Sequence, residues 1–443
     1  MVTPERARQV DLRSWFHRRG EEGQSATVAA PRPAFALYPP RGQKGLDPTR
    51  LDCFGSRLEA FRRRHLRQSE PRLFGALQIL DLDLIRRRFG ARWVPLREKI
   101  FQIIEHALDR ELGPDDLYLV FDERTVYLFV TGIAREAAVV RMRLAAARIT
   151  ERLCGLVPGG AAIRVQTLPF DLDSGLAGVT GPRELRARIE AFEREVEDAE
   201  RRCFHDNAKR LAPRLLPLVH LRKRLVAAYR LEARYIRPDG GELAATSLCP
   251  ERVSGVFDAE LDAWSVSRLV DLGTAWRERA GRSLLVLPVH YETLAQRRLR
   301  EPLLLQARRL ARPSERFLLF ELLELPPGVP QGWLHELLMY LKPFCHGFAV
   351  RLYPEMLTTE PLTKCGVEFL SLSAAAIEER EDGFEIIDRW AGLAREVRMR
   401  SALLDISRRE TVAAAKAAGV DYAAGRVIAP GLTDPLPRGL RAL

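Results

Sequence analysis

The chain has 443 residues, of which 47% are hydrophobic, and it carries a formal net charge of +11. This length predicts two or three domains, and the apolar content is ample for packed cores. The positive charge is compatible with nucleic acid, an anionic membrane, an acidic protein or an acidic nucleotide as partner, and equally with an arginine-rich solvated surface.

Several function classes are disfavoured by the residue pattern. The six cysteines are scattered without a CxxC pair, which indicates reduced thiols in the cytoplasm rather than a disulfide framework. The eight histidines form no cluster at metal-ligand spacing, so we expect no cofactor. No apolar run has the length of a membrane span, and the N-terminus lacks the apolar core of a signal peptide. The basic runs at 62–64 and 86–88 lack interleaved aromatics, which argues against nucleic acid as partner.

The first 50 residues differ in composition from the rest of the chain. They are rich in Arg, Pro and Gly and have no long apolar period, as in PRPAF and YPPRG. This composition predicts a flexible leader over 1–50, and a docking tail is the alternative.

Residues 51–180 have the pattern of a small α/β domain. A buried strand is followed by an amphipathic helix, a hairpin formed by LYLVF and VYLFV around DERT, a second helix and a last strand. The predicted elements are a strand at 75–82, helices at 93–112 and 134–154, the hairpin at 117–130, and the strand AAIRVQTL. This β-α-β-β-α-β order predicts a ferredoxin-like fold.

A long charged helix is predicted between this domain and the rest of the chain. Residues 183–211 lack Gly and Pro and place Glu and Arg at helical spacing. We interpret 181–213 as a linker helix, and a helix that forms a homodimer is the alternative.

Strands and helices alternate from residue 214 to the C-terminus. The strand candidates are LLPLVHL, AAYRLEARYI, SLLVLPV, RFLLFELL, GFAVRLY, VEFLSLS and SALLDI. This alternation predicts an α/β fold for 214–443, either a TIM-like barrel or an open sheet. We favour the closed barrel because each strand ends where a ligand-binding loop would lie.

The barrel sequence resembles the EAL domain, the family that hydrolyses cyclic diguanylate. The stretch PLVHLRKRLVAAYRLEARYIRPDG matches the family's opening without gaps and places the signature on Arg230, Leu231 and Glu232, with the following family Arg at Arg234. Six further landmarks follow in the family's order and end with AGVDYAAGRVIAP. The resemblance therefore spans about 215 residues.

The resemblance also implies that the chemistry has been lost. In the family, carboxylates and an Asn hold two cations that activate water and polarise the phosphate. The matching positions here are Arg230, Pro288, Arg351, Leu352, Ser371, Ser373, Leu404 and Ser407, with Ala424 in place of the closing Gln. Glu321 is retained, with Glu324 beside it. We expect no metal site and no catalytic residue, and we expect Glu321 to pair with Arg230 or Arg351, unless these side chains turn outward to water.

The first domain resembles the GGDEF fold, which often precedes an EAL barrel. GALQILDLDLIRRRFGARW resembles its first strand and loop, and the hairpin places the family motif on 121–125. The two glycines that admit GTP are absent, Arg124 replaces a metal-binding acid, and Asp81 remains. The resemblance implies a domain without cyclase activity.

Three functions remain open from the sequence. The first is a catalytically inactive GGDEF–EAL-type regulator that binds another protein, in motility or biofilm signalling by analogy of fold. The second is a receptor for cyclic diguanylate or a related anionic nucleotide, with Arg234 on a phosphate. The third is an enzyme with altered chemistry, suggested by HYE at 290–292 and by the Ser371 and Ser373 pair. No GxSxG elbow or positioned His–Asp pair supports the third.

Overall fold

The computed structural model describes two regions that are predicted to be separate domains, and the long helix between them. The residues described are 44–46, 51–65, 73–79, 91, 93–121, 125–130, 145, 148–149, 163–169, 176–250, 254–279, 283–310, 317–326, 329, 331–354, 357, 359, 362 and 364–433. The predictions made for residues 1–43, for Asp81 and for Arg124 lie outside the described residues.

The N-terminal region contains a four-stranded antiparallel sheet with strand order β2-β3-β1-β4. Its elements are α1 (Leu51–His65), β1 (Leu73–Ile79), α2 (Trp93–Glu111), β2 (Leu117–Val120), β3 (Thr125–Val130) and β4 (Ile163–Pro169). The predicted order is therefore confirmed for β1, α2, β2, β3 and β4, whereas the preceding helix α1 was not predicted. Of the second predicted helix, residues 145, 148 and 149 are described, and all three are helical.

Helix α1 packs on the sheet through one apolar face. Phe54, Leu58 and Phe61 recur at helical spacing and are buried. They belong to one apolar cluster with residues of β2 and β3, in which the Phe61 and Phe129 rings meet edge to face with centroids 5.9 Å apart. The sheet and α1 thus share a hydrophobic core.

Residues 44–46 correct the predicted extent of the leader. Leu46 is fully buried in the core beside α1, and its backbone N–H donates to the carbonyl of Tyr118 over 2.8 Å. The Tyr118 N–H in turn donates to the carbonyl of Lys44 over 3.2 Å. Since β2 is the edge strand of the sheet, this segment satisfies backbone groups that the edge would otherwise expose. The flexible leader predicted for 1–50 therefore does not extend to these residues.

The predicted linker helix is α3 (Pro182–Ala208), and it contacts both regions. Near its start, Leu185 and Ile189 belong to the core of the N-terminal sheet. Near its end, Phe204 packs edge to face on Phe257 in a cluster at the barrel. The helix ends at Ala208 rather than 211 because Leu211 already begins the first barrel strand, in which Pro213 pairs with Ala233.

Glu200 connects α3 to the barrel through hydrogen bonds. Its buried carboxylate accepts hydrogen bonds from the Ser254 backbone N–H and hydroxyl, both over 2.7 Å, and from the Phe257 N–H over 3.2 Å. These donors lie at the start of α4 (Val256–Arg279), where backbone N–H groups have no partner within the helix.

We expect Glu200→Ala to lower the free energy of unfolding by about 2–3 kcal/mol, because it leaves buried donors without an acceptor. Glu195→Ala, on an exposed position of the same helix, is the matched control and should change stability by less than about 0.5 kcal/mol. Urea unfolding measures both. Equal effects of the two substitutions would contradict the role given to Glu200.

The C-terminal region is a closed eight-stranded barrel, which confirms the predicted α/β barrel. The strands of its sheet are β5 (Leu211–His220), β6 (Leu225–Ile236), β7 (Glu242–Ala244), β8 (Leu284–His290), β9 (Leu318–Leu323), β10 (Gly347–Leu352), β11 (Val367–Ser373), β12 (Arg400–Leu404) and β13 (Tyr422–Ala423). The order is β5-β13-β12-β11-β10-β9-β8-β6, and pairing of β5 with β6 closes the ring, with β7 beside β6. Strand β5 is antiparallel to both neighbours, and the other ring pairings are parallel.

Helices cover the outside of the barrel. Besides α4 they are α5 (Tyr291–Ala295), α6 (Arg297–Ala307), α7 (Gln331–Met339), α8 (Gly383–Glu396) and α9 (Arg409–Ala417). Alternate strand residues face these helices and form the largest apolar cluster, which includes Trp390 of α8, fully buried. No helix in the described part of the chain is long and apolar enough to cross a membrane.

Candidate functional site

The barrel brings together four polar side chains that the sequence placed on four different strands. Arg230 lies on β6, Glu321 on β9, Arg351 on β10 and Ser371 on β11. Arg351 and Ser371 are partners in register, and Glu321 pairs with Ala349, two residues before Arg351. These positions lie toward the carboxyl ends of the parallel strands, where barrels carry their functional sites.

Glu321 is the centre of this group and is only 1% exposed. Arg230 Nε donates to Glu321 Oε2 over 2.7 Å. Oε1 accepts from Arg351 Nη2 over 3.0 Å, from Arg351 Nε over 3.2 Å and from the Ser371 hydroxyl over 2.5 Å. The expected pairing of Glu321 is thus confirmed, and it involves both arginines rather than one.

The charges of this cluster hold one another in their ionised forms. Burial by itself raises the pKa of Glu321, but the charges of Arg230 and Arg351, with the Ser371 hydrogen bond, lower it to about 2. Burial likewise disfavours the charged form of Arg230, and the acids Glu321, Glu232 and Asp405 more than offset it, so the pKa of Arg230 rises. Both groups stay charged across the physiological range.

Two further acids, Glu232 and Asp405, belong to the site, and the sequence analysis assigned a role to neither of them. Arg230 Nη1 donates to Glu232 Oε1 over 2.9 Å, and Arg234 Nε lies 3.5 Å from Glu232 Oε2. Asp405, the residue after β12, has a left-handed backbone with φ 58° and accepts the Ser373 hydroxyl over 2.7 Å. Asp405 could have been identified from the sequence, because it is an acidic residue immediately after a barrel strand.

The cluster is formally neutral. The arginines Arg230, Arg234 and Arg351 balance Glu232, Glu321 and Asp405. These six charges compensate one another, and the Glu321 carboxylate, which is the most buried of the three acids, already accepts hydrogen bonds from three side chains.

The remaining sequence-predicted positions do not all converge on Glu321. Pro288 pairs with Glu321 in register and supplies no side-chain oxygen. Leu404 lies in the apolar interior of the barrel, whereas Leu352 faces the surrounding helices. Ser407 is bonded to Glu378 of another loop, to which its backbone N–H donates over 3.0 Å. The structure therefore joins four of the predicted side chains in one hydrogen-bonded group. Pro288 and Leu404 lie beside this group without a hydrogen bond to it, whereas Leu352 and Ser407 have other surroundings.

This donor set does not fit a pair of hard cations, which require several oxygen ligands aimed at one point. Within the described residues, no three His, Cys, Asp or Glu side chains are placed to hold a metal ion. Around the Glu321 carboxylate the described residues place two guanidinium groups and the Ser371 hydroxyl, all of which donate to it.

A cleft of about 320 Å³ opens above the cluster. Arg230, Arg234 and Arg351 border it on one side, and Asp262 and His290 on another. Its size is at the lower end for small-molecule sites. The side chain of Arg234 is 36% exposed, which leaves its guanidinium accessible from the cleft.

A buried His–Asp network borders the same cleft, although the sequence analysis expected no positioned His–Asp pair. His290 Nδ1 lies 2.9 Å from Asp262 Oδ1, and Asp262 Oδ2 accepts the Thr293 hydroxyl over 2.6 Å. On the other side of the ring, Nε2 lies 3.6 Å from Asp258 Oδ1. Burial alone lowers the pKa of His290, but the two aspartates raise it to about 9. Because both ring nitrogens face acids and not a nucleophile, this is an ion cluster rather than a catalytic triad.

Comparison with known proteins gave structural neighbours alone. No family model matches the chain, and no curated protein matches it. The FimX EAL domain of Xanthomonas citri, solved with c-diGMP, is 21% identical with a TM-score of 0.40, over 56% of this chain and 98% of that one. The FimX EAL domain of Pseudomonas aeruginosa, bound to c-di-GMP, is 16% identical with a TM-score of 0.44, over 54% and 96%.

A third neighbour spans both regions. The S helix–GGDEF–EAL portion of Vibrio cholerae LapD, bound to c-di-GMP, is 9% identical with a TM-score of 0.45, over 84% of this chain and 92% of that one. All three neighbours contain an EAL domain. At these identities and TM-scores, the function of this chain has to be argued from its own residues and contacts.

Proposed function

We propose that this protein is a non-catalytic regulator of cyclic diguanylate signalling that acts by binding another protein. The family is suggested by the EAL-type landmarks of the sequence, carried on a closed barrel. The single observation that carries the loss of catalysis is the neutralisation of Glu321 by Arg230 and Arg351. The chain keeps a closed barrel, and among its described residues no three His, Cys, Asp or Glu side chains are placed to hold the metal ions that phosphodiester hydrolysis in this family uses.

We expect no hydrolysis of cyclic diguanylate above the buffer rate in the presence of Mg²⁺ or Mn²⁺. The physical reason is that a metal ion would have to displace two guanidinium groups from a buried carboxylate. Chromatographic detection of the linear dinucleotide measures this, with an active EAL phosphodiesterase as positive control. Metal-dependent turnover that Glu321→Gln abolishes would refute the proposal.

The surface proposed for the partner is the charged side of α3. The apolar residues Leu185, Ile189 and Phe204 are already used within the chain, so a partner would meet the exposed polar side. Glu195 and Arg202 are exposed on the described helix. Alternating charges of this kind give specificity to a protein interface more than they give affinity.

The partner is identified by affinity capture from native cytosol with the full chain as bait. The double variant Glu195→Arg/Arg202→Glu keeps the net charge and should lose the stoichiometric partner. The matched control Glu410→Lys/Lys416→Glu, on exposed positions of α9, should retain it. Failure to capture any stoichiometric protein with the wild type would count against protein binding, and retention by both variants would exclude this surface.

The same helix face is our proposed site for the alternative of a homodimer. Sedimentation equilibrium of wild type and of the α3 double variant separates the two cases. A dimer that the double variant converts to a monomer would assign the face to self-association.

A second candidate function, nucleotide reception without hydrolysis, is supported by the cleft beside Arg234. Its partly exposed guanidinium could hold a phosphate of cyclic diguanylate, although Glu232 competes for it. Titration calorimetry should then show micromolar binding that Arg234→Ala abolishes. The absence of heat at high nucleotide concentration would reject this candidate.

A further inference from the structure

The barrel interior contains an apolar cavity of about 200 Å³ on the opposite side of Glu321 from the cleft. Glu321, Arg230 and Ser371 border one end of it, and the rest of the described lining is almost wholly apolar. Protein interiors are close-packed, and few of their voids exceed the size of a water molecule. A void of this size in the centre of a closed barrel therefore requires a cause in the sequence.

The cause is alanine at interior positions of several strands. Barrel interiors of this type are usually filled by layers of bulky branched side chains. Here Ala228 on β6, Ala349 on β10 and Ala402 on β12 face the interior, and all three border the cavity. Because each lies on a different strand, no single neighbouring side chain fills the space that they leave.

Hydrogen-bonding groups lie at the amino ends of the strands, where the cavity ends. Arg400, the first residue of β12, is exposed and borders the cavity. Its Nη1 donates to the Tyr422 hydroxyl over 3.1 Å, and its guanidinium carbon lies 5.6 Å from the Phe369 ring centroid. Among the described residues no carboxylate forms an ion pair with Arg400. His220 packs against Tyr422, and its buried Nδ1 has no hydrogen-bond partner within the described part of the chain.

We propose that the interior of the barrel binds a small carboxylic acid with an apolar body, whose carboxylate meets Arg400 and Tyr422. The apolar body lies against the alanines and leucines of the interior. Apolar cavities of comparable volume remain dry and take up apolar molecules. A guanidinium at the rim is a charge-assisted donor suited to a carboxylate. The site is separate from the cleft at the carboxyl ends, and it stands whether or not the proposed regulatory function holds.

The test uses the full chain with octanoate as the acid probe and 1-octanol as the uncharged probe. Octanoate should raise the thermal midpoint in a concentration-dependent manner, as a ligand of the folded state does. Arg400→Gln should weaken octanoate binding at least about tenfold in calorimetry and change octanol binding less than about twofold.

A second experiment fills the cavity with a larger side chain. Ala402→Leu should abolish binding of both probes while the unliganded thermal midpoint shows that the variant folds. If that variant does not fold, Ala349→Val reduces the same space with a smaller side chain and should weaken the binding of both probes. Leu305→Gln, at an exposed leucine, is the control for non-specific adsorption and should leave binding unchanged.

Three results would overturn the proposal. The first is the absence of a midpoint shift at any octanoate concentration below micelle formation. The second is unchanged binding in the folded cavity-filling variant, which would place the probe elsewhere. The third is that Arg400→Gln weakens the binding of octanoate and of octanol equally, which would show that the carboxylate does not contact Arg400.

Discussion

Replacement of Glu321 by alanine is expected to lower the free energy of unfolding by about 3–5 kcal/mol. The substitution removes the carboxylate and leaves Arg230 and Arg351 facing each other inside the barrel mouth, with Arg230 only 7% exposed. Urea unfolding at pH 7 measures the change. Glu242→Ala, which breaks the more exposed Arg214 pair, is the matched control and should cost less than about 1 kcal/mol.

A triple replacement separates the loss of one partner from the net contribution of the Arg230–Glu321–Arg351 group, and Glu232 keeps Arg234 as a neighbour. Arg230→Met, Glu321→Leu and Arg351→Met together remove all three charges and keep similar side-chain volumes. We expect the triple variant to lie within about 1 kcal/mol of the wild type or to be more stable, because the cost of burying charge is removed along with their attraction. A triple variant as unstable as Glu321→Ala would show that packing, not charge compensation, decides the stability here.

Stability is also expected to fall as pH rises from about 6.5 to 9, because of His290. Its pKa in the folded protein, about 9, lies above the ordinary value of 6.5, since Asp262 and Asp258 favour the charged ring against the effect of burial. Such a group stabilises the fold fully below pH 6.5, and its contribution is lost as pH rises through 9. This difference between the ordinary and the folded-state pKa of His290 corresponds to about 3 kcal/mol of unfolding free energy.

Unfolding free energies measured in urea at several pH values between 6 and 9.5 test this expectation. His290→Gln should be less stable at pH 6 and should lose most of the decline with pH. His220 provides the contrast: its pKa is lowered, chiefly by burial and by the Lys223 charge, so its contribution is lost as pH falls instead. A wild type whose stability is flat between pH 6.5 and 9 would contradict the His290 assignment.

The sequence predicted most of the barrel because seven of the eight ring strands carry their own apolar pattern. Strand β11, VEFLSLS, begins and ends at the predicted residues, and the other six predicted strands differ from the structure by one to four residues at one or both ends. The two-residue strand β13 (Tyr422–Ala423) was not predicted, since it is too short to show a periodic pattern. The pairing of Glu321 could also be predicted, since one carboxylate and two arginines were assigned to neighbouring strand ends. The strands follow from local pattern, whereas the pairing of Glu321 was implied by the resemblance to the EAL domain, which assigned the carboxylate and both arginines to one end of the barrel.

The features that were missed depend on which side chains meet across the fold. Asp262 and His290 are 28 residues apart, and no local pattern marks them as partners. The burial of Leu46 depends on the open edge of β2. The interior cavity arises because alanines on separate strands face one another, which strand register decides and composition does not.

The central claim, that guanidinium groups occupy the place of metal ions at the barrel mouth, is tested most directly by a crystal structure grown in millimolar Mn²⁺, with anomalous scattering recorded. We predict no anomalous peak at Glu321, with Arg230 Nε and the Arg351 guanidinium still bonded to its carboxylate. Two manganese peaks about 4 Å apart beside Glu321, with the arginines turned away, would contradict the account.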